Sequence, residues 1–137
     1  MADSVRKVDY FKVGVPNRKG EGARVLAALR NEGVNLLAFT GFPRGRRAQL
    51  DFVPEDAAVF RKAAKRAGLE ITGKKSCFLI QGKDRAGVIA GIAAKLASAG
   101  ISIIALDGLG AGNGRYGAIL WVEPKDVAKA GRALGAA

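Results

Sequence analysis

Two short loops place polar and charged side chains directly before a glycine and a helix-forming stretch. Asn17–Gly20 reads NRKG, and Asp84–Gly87 reads DRAG. The first N–H groups of a helix have no partner inside the helix, and together with the helix dipole they attract a carboxylate or a phosphate. A glycine at this point lets such a group approach the backbone closely. The pattern predicts two sites for a small anionic or zwitterionic ligand.

Other polar side chains near these loops suit the two ends of a zwitterion. Asn17 and Asp84 offer side-chain hydrogen bonds, and Asp84 can also hold an α-ammonium group. Asn35 and Ser102 open the strand that follows each helix. The opposing interpretation is that Asn17 and Asp84 only cap their helices, and the motif alone leaves both interpretations open. The predicted ligand-binding residues are Asn17, Arg18, Gly20, Asn35, Asp84, Arg85, Gly87 and Ser102.

The composition offers little material for catalysis. The chain has no histidine and a single cysteine, Cys77, so the commonest general base, the commonest zinc ligand and any thiolate cluster are excluded. Asp84 and Asp107 are the only acids beside glycine-rich loops, and an enzyme built on them is the weakest hypothesis. We predict no catalytic residue, no metal site, no cofactor and no enzymatic activity. The strand-like setting of Cys77, KSCFLI, predicts a buried thiol.

Length, hydropathy and charge narrow the class of protein. The 137 residues are 49% hydrophobic, which is normal for a folded core. No apolar run is long enough to span a membrane, and the first ten residues do not resemble a signal peptide, so we expect a cytoplasmic protein. The net charge of +11 fits nucleic acid, an acidic partner or solubility. The densest basic clusters are 43–47 (PRGRR) and 61–66 (RKAAKR), and we interpret the second as a solvated helix face.

The chain contains an internal repeat. With Asp84 aligned on Asn17, the register holds without a gap from Val13 on Ile80 to Gly41 on Gly108. The match includes the glycines that end each helix. The repeat predicts two small domains, residues 1–72 and 73–137.

Hydrophobic periodicity within one copy predicts the order βαββαβ, a ferredoxin-like α+β unit with an antiparallel sheet and both helices on one face. In the first copy we predict strands at 8–15, 34–40, 48–53 and 69–72 and helices at 20–32 and 54–68, with a turn at 41–47. In the second copy we predict strands at 77–82, 101–106 and 116–123 and helices at 87–99 and 124–134.

The second copy ends before a fourth strand. Residues 4–10 (SVRKVDY) or a strand of a second chain are the two candidates to complete its sheet. The strands at 101–106 and 118–122 are apolar on both faces, which predicts that a second chain covers the sheet in a homodimer or larger oligomer. The glycine-rich segment 108–117 is interpreted as a flexible hairpin connection, not a phosphate-binding loop.

Residues 82–103 (GKDRAGVIAGIAAKLASAGISI) resemble the signature of the ACT domain, in which a D-R-P-G-like loop, a helix and a G-I-N-I-like strand follow one another. Residues 15–39 (VPNRKGEGARVLAALRNEGVNLLAF) resemble it too, and they are similar to the N-R-P-G and G-V-N-I segments of serine-sensing members. Two copies of the motif make the chain similar to a tandem ACT protein.

The resemblance implies a regulatory protein that binds a small molecule, usually an amino acid, or a regulatory subunit of an amino-acid metabolic enzyme. In serine-sensing members the residues that match Asn17 and Asn35 contact the amino acid. Asp84 and Ser102 occupy these positions in the second copy, so its pocket should differ. The proline of the family loop is replaced by Lys19 in the first copy and by alanine in the second.

The main alternative is a nucleic-acid-binding module, because RNA-recognition domains share the ferredoxin-like fold. Such domains need exposed aromatic residues on their central strands. We predict that Phe52 and Trp121 are packed instead, which favours the small-molecule interpretation.

Overall fold

The computed structural model describes residues 3–136, which form two compact units. The central unit is Asp9–Lys75, and the terminal unit combines the start of the chain up to Val8 with the segment from Ser76 onward. The sequence had placed the division at residues 72 and 73. The elements are β1 (Ser4–Pro16), α1 (Glu21–Asn31), β2 (Leu36–Arg44), β3 (Arg47–Pro54), α2 (Ala57–Arg66), β4 (Lys75–Lys83), α3 (Val88–Ser98), β5 (Ile103–Gly112), β6 (Arg115–Val122), a 3-10 turn (Pro124–Asp126) and α4 (Val127–Leu134).

The central unit is built on an antiparallel sheet in the order β2-β3-β1. Alternate residues of β1 are buried because a strand directs successive side chains to opposite faces. These residues form one core with the apolar face of α1 and with α2. Its fully or nearly fully buried members are Phe11, Val13, Val15, Val25, Leu29, Leu50, Phe52, Phe60, Ala63 and Ala64.

The predicted fourth strand of the first copy, 69–72, is wrong as a full strand. Only one bridge forms, between Ile71 and Val13. The N–H of Thr72 donates to the carbonyl of Lys12 at 3.1 Å, but the N–H of Lys12 donates to the hydroxyl oxygen of Thr72 at 3.2 Å. The side chain of Thr72 thus replaces a backbone acceptor, and the regular ladder ends after one step.

The terminal unit has its fourth strand, which the N-terminal segment supplies. Its sheet order is β1-β4-β6-β5, with the first residues of β1 beside β4. The sequence analysis offered residues 4–10 or a second chain to complete this sheet. The first candidate is confirmed for the part up to Val8. Val5 packs against a core of buried residues from the sheet, α3 and α4, chiefly Phe78, Ile80, Leu96 and Leu120. Cys77 forms no disulfide within residues 3–136, and it is buried, as predicted.

Both hairpins are tighter than the sequence analysis predicted. The strands continue through the predicted turn 41–47 and the predicted flexible segment 108–117, to Arg44 and Gly112. Asn113 and Gly114 adopt φ of 54° and 71°, so both lie in the left-handed region. This is the backbone of a type I′ turn, for which Asn-Gly is the preferred sequence. The flexible-connection interpretation is therefore wrong, although the hairpin itself is confirmed.

Three further predictions from the sequence concern exposure. Phe52 and Trp121 are buried, as predicted, so neither is available to stack on a base. The charged side chains of α2 lie on its exposed face, also as predicted: Arg61, Lys62, Lys65 and Arg66. In the part of the chain that the structure describes, every helix is too short or too polar to cross a bilayer.

Candidate functional site

The two loops Asn17–Gly20 and Asp84–Gly87, which we call the signature loops, do not cap their helices through a side chain. The N-cap residues of α1 and α3 are Gly20 and Gly87, with φ of 87° and 79°, and no side chain bonds to either helix start. Asp56 shows the contrast, because its carboxylate accepts hydrogen bonds from the N–H groups of Ala58 (2.9 Å) and Val59 (3.1 Å) at the start of α2. The interpretation of Asn17 and Asp84 as N-caps is therefore wrong.

Both loops are held instead by the turn of the neighbouring hairpin. The N–H of Asn17 donates to the carbonyl of Arg46 at 3.0 Å, and the N–H of Asp84 donates to the carbonyl of Gly114 at 2.8 Å. The side-chain amide of Asn17 also reaches the carbonyl of Gly45, at 3.4 Å. The repeat thus extends to the backbone contact that fixes each loop.

In the central unit a cleft of about 450 Å³ opens beside the loop. We call it the loop cleft. Its polar residues are Asn17, Arg18 and Glu21, and its apolar wall includes Leu26, Phe39 and Phe42. The volume falls in the range of small-molecule sites. Phe39 and Phe42 are 40% and 41% exposed, which leaves apolar surface for a ligand to cover.

Opposite charges meet at the mouth of the loop cleft. The guanidinium Nη2 of Arg18 lies 3.6 Å from Oε1 of Glu21, and the Arg18 side chain is 72% exposed. Arg24 donates to the other oxygen of Glu21, at 2.9 and 3.2 Å. The Arg18–Glu21 contact is long and Arg18 is mostly exposed, so the contact contributes little to stability and leaves Arg18 open to the carboxylate of a ligand. Glu21 is only 18% exposed and is held by Arg24, so an ammonium group of the ligand would share its carboxylate with Arg24.

The structure separates two predicted ligand residues from the loops of their own units. Asn35 lies at the start of β2, where its side-chain amide donates to Glu55 at 3.2 Å. Asn17 lies near the far end of β2, because β1 and β2 both run antiparallel to β3. The nine residues of β2 put about 25 Å between them. Ser102 stands in the same relation to Asp84 across β5.

The loop arginine of the terminal unit has an internal partner. Arg85 forms an ion pair with Asp3 at 3.3 Å and donates to the carbonyl of Lys83 at 2.7 Å. A Cβ atom on Gly82 would overlap the carboxylate of Asp3, so the glycine provides the space for this contact. Arg85 therefore donates hydrogen bonds to a carboxylate of its own chain, at 3.3 and 3.4 Å, whereas Arg18 only approaches Glu21, at 3.6 Å, and is the more exposed of the two arginines.

Tyr116 completes this cluster. Burial and, to a smaller extent, the hydrogen bond and charge of Asp3 together raise the pKa of Tyr116 to about 12. Burial of Asp3 opposes its ionisation, but Arg85 and Tyr116 outweigh that effect and lower the pKa of Asp3. The cluster keeps Asp3 charged and Tyr116 protonated at neutral pH.

The sequence analysis did not identify Glu21, Leu26, Phe39 and Phe42 as cleft residues. Glu21 follows Arg18 by three positions at a helix start, and this spacing was the available signal. The two phenylalanines lie on an edge strand, where exposed aromatic residues are a signal for contact with a ligand or partner. Among residues 3–136 no three acidic or cysteine side chains cluster as metal ligands would.

Comparison with known proteins identifies the fold. No protein-family model and no curated protein sequence matches the chain. A protein from Bacteroides thetaiotaomicron is similar in structure, with a TM-score of 0.81 and 18% identity over 96% of this chain and 88% of that one.

Two enzyme subunits are also similar in structure. The regulatory subunit of aspartate kinase from Thermus thermophilus, in a ligand-free form, gives a TM-score of 0.67 at 21% identity. The corresponding subunit from Thermus flavus gives 0.61 at 20% identity. Both matches cover 98% of this chain and 95% of the other. This chain therefore has the α+β, ACT-like ferredoxin fold of aspartate kinase regulatory subunits.

Proposed function

We propose that this chain is a non-enzymatic regulatory protein that binds a small zwitterion, an amino acid, in the loop cleft of its central unit. The observation that supports it most is the loop cleft itself. It combines Arg18 and Glu21, which complement a carboxylate and an ammonium group, with an apolar wall for a side chain. The uncapped start of α1 adds backbone N–H groups at the same place.

The two units differ in this role. Arg85 of the terminal unit donates two hydrogen bonds to Asp3, whereas Arg18 has only the 3.6 Å contact with Glu21 and is 72% exposed. We therefore assign the amino acid to the central unit. Asn35 lies at the other end of β2, so its contribution to the same ligand requires a second copy of the chain. The homo-oligomer expected from the apolar strands would supply that copy.

A regulated enzyme is the second part of the proposal. Similar structures include regulatory subunits of aspartate kinase, and this supports a metabolic enzyme as partner of this chain. The nucleic-acid alternative is not favoured, because Phe52 and Trp121 are buried.

The first experiment is a thermal-shift screen against the twenty proteinogenic amino acids, followed by calorimetry with any that respond. A ligand at 100 times its dissociation constant adds about 2.7 kcal/mol of apparent stability. Arg18→Ala and Glu21→Gln should each weaken binding at least tenfold, because each removes one charged contact (about 1.5–3 kcal/mol).

Arg30→Ala is the matched control, since Arg30 is exposed on α1, its side chain bonds to the neighbouring Asn31, and it does not line the loop cleft. It should leave the affinity unchanged. A flat screen would refute amino-acid binding. A response that survives both cleft variants would move the ligand to another site.

A further inference from the structure

A second cleft lies on the opposite face of the central sheet. Val13, Val15 and Leu50 point toward the helices, so Gly14 and Gln49 face the other way. On that face a cleft of about 360 Å³ is lined by Lys12, Arg44, Arg47, Gln49, Glu70 and Thr72, with Gly14 at its floor. We call it the cation cleft. It includes Arg44 and Arg47, the first and last arginines of the basic cluster PRGRR, and neither of them lines the loop cleft.

Two of its cations face each other directly. Arg44 and Arg47 are paired residues of β2 and β3 at the end of the hairpin. Like charges directly opposite on neighbouring strands destabilise a sheet. The turn between them consists of Gly45 and Arg46, so it contains no acidic residue that could offset the repulsion. An anion held between the two guanidinium groups would relieve this repulsion.

The cations have few partners within the chain. None of Lys12, Arg44 and Arg47 forms an ion pair with any residue from 3 to 136. Arg44 donates to the side-chain oxygen of Gln49 at 2.8 Å, and Gln49 donates to Asp51 at 3.0 Å.

The Arg47 side chain extends over Gly14, where a Cβ atom would lie 3.3 Å from its Nη2. Within the described chain this guanidinium has no hydrogen-bond partner.

Asp51, which accepts a hydrogen bond from Gln49, is a poor counter-charge for these cations. It is only 7% exposed, and burial raises the pKa of its carboxyl group despite the hydrogen bond from Gln49 and the charges of Lys12 and Arg44. The positive charge of the cleft is therefore incompletely neutralised.

The donors suit a phosphate group. Guanidinium groups bind phosphate oxygens in pairs, and an ammonium group adds a point charge. The hydroxyl oxygen of Thr72 accepts from the backbone of Lys12, so its proton is free to donate to an anion. Glu70, which also lines the cleft, can accept a hydrogen bond from a hydroxyl or amino group in the remainder of the ligand.

We propose that the cation cleft binds a small phosphate-bearing molecule, with Arg44, Arg47 and Lys12 around the phosphate. The size of the cleft fits a phosphate ester of nucleotide size or smaller. This site is independent of the loop cleft, and it stands or falls separately from the amino-acid proposal.

The test is calorimetry in a phosphate-free buffer with four probes: inorganic phosphate, pyrophosphate, AMP and a single-stranded oligonucleotide. Phosphate, pyrophosphate or AMP should bind, and Arg47→Gln and Lys12→Gln should each weaken binding about tenfold or more. Gly14→Ala should weaken it as well, because the new methyl group displaces the Arg47 guanidinium.

Arg46→Gln is the matched control, since Arg46 is the adjacent arginine of the same turn and does not line the cleft. Equal loss of affinity in Arg46→Gln and Arg47→Gln would indicate diffuse charge attraction and overturn the proposal. Absence of binding by phosphate, pyrophosphate and AMP at millimolar concentration would overturn it too. Tight, salt-sensitive binding of the oligonucleotide alone would replace it with a nucleic-acid surface.

Discussion

The role of the signature loops can be separated from helix capping by comparing two substitutions in the same unit. Asp56→Ala removes a carboxylate that accepts two hydrogen bonds, at 2.9 and 3.1 Å, from the start of α2. Loss of such a cap costs about 1 kcal/mol. For a unit of this size that lowers the unfolding midpoint by about 5 °C.

Asn17→Ala should behave differently, although Asn17 also precedes a helix. Its side chain makes one long bond of 3.4 Å to the carbonyl of Gly45 and none to α1. An exposed substitution of this kind changes the free energy of unfolding by less than about 0.5 kcal/mol. Because Asn17 lines the loop cleft, the same substitution should weaken binding of the amino acid.

Thermal and urea unfolding, followed by far-UV circular dichroism without ligand, measure the difference between the two variants. Asn17→Asp is a useful companion, since it preserves the size of the side chain and offers a good capping group. If Asn17→Ala lowers the free energy of unfolding as much as Asp56→Ala does, then Asn17 stabilises the start of α1. That result would refute the inference that the loop serves a ligand.

Three other predictions follow from single residues. Gly41→Ala should lower affinity in the loop cleft with little loss of stability, as measured by calorimetry and urea unfolding, because its Cβ would lie 3.0 Å from the flexible end of Leu50. From pH 10 to about 12 the unfolded chain loses the proton of Tyr116 while the folded chain retains it, so stability should fall with pH by up to about 1.4 kcal/mol per unit. Tyr116→Phe should remove that part of the slope in unfolding measurements above pH 10, and an unchanged slope would contradict the raised pKa. Ile104→Lys should shift the expected homo-oligomer toward monomer in analytical ultracentrifugation, because Ile104 is 61% exposed on the edge strand β5 of its unit; a wild-type chain that is monomeric at micromolar concentration would contradict the oligomer.

The repeat made most of the fold predictable. Glycines at equivalent positions end both α1 and α3, and periodicity identified every helix and six strands. The hairpin turns were predicted least well. The many glycines of 108–117 indicated a flexible connection, although most of the segment forms strands around the Asn113-Gly114 turn. The predicted strand at 69–72 is reduced to one bridge. This reduction depends on the hydrogen bond from the N–H of Lys12 to the Thr72 hydroxyl oxygen, which the local sequence does not indicate.

The candidate site was predictable only in part. The two loops were identified from residue types and spacing. Whether the arginine of each loop is paired within the chain depends on residues that are distant in sequence. Asp3 engages Arg85 from more than eighty positions away, and no local pattern indicates that pairing. The separation of Asn35 from Asn17 follows from strand direction, which the predicted order βαββαβ already contains. The apolar wall of the loop cleft required knowledge of which side of β2 faces α1.

The division of β1 between the two units determines the order in which the chain can fold. The central unit is one continuous segment, Asp9–Lys75, whereas the terminal unit needs Ser4–Val8 to pair with β4 at the other end of that segment. At a synthesis rate of about 5–20 residues per second, Ser4–Val8 precede their partner strand β4 by several seconds. During that interval the backbone of Ser4–Val8 lacks β4 as a partner, and prior folding of the central unit shortens the loop that must close. Substitutions that slow folding of the central unit should therefore favour dimers in which one chain's first strand completes another chain's sheet.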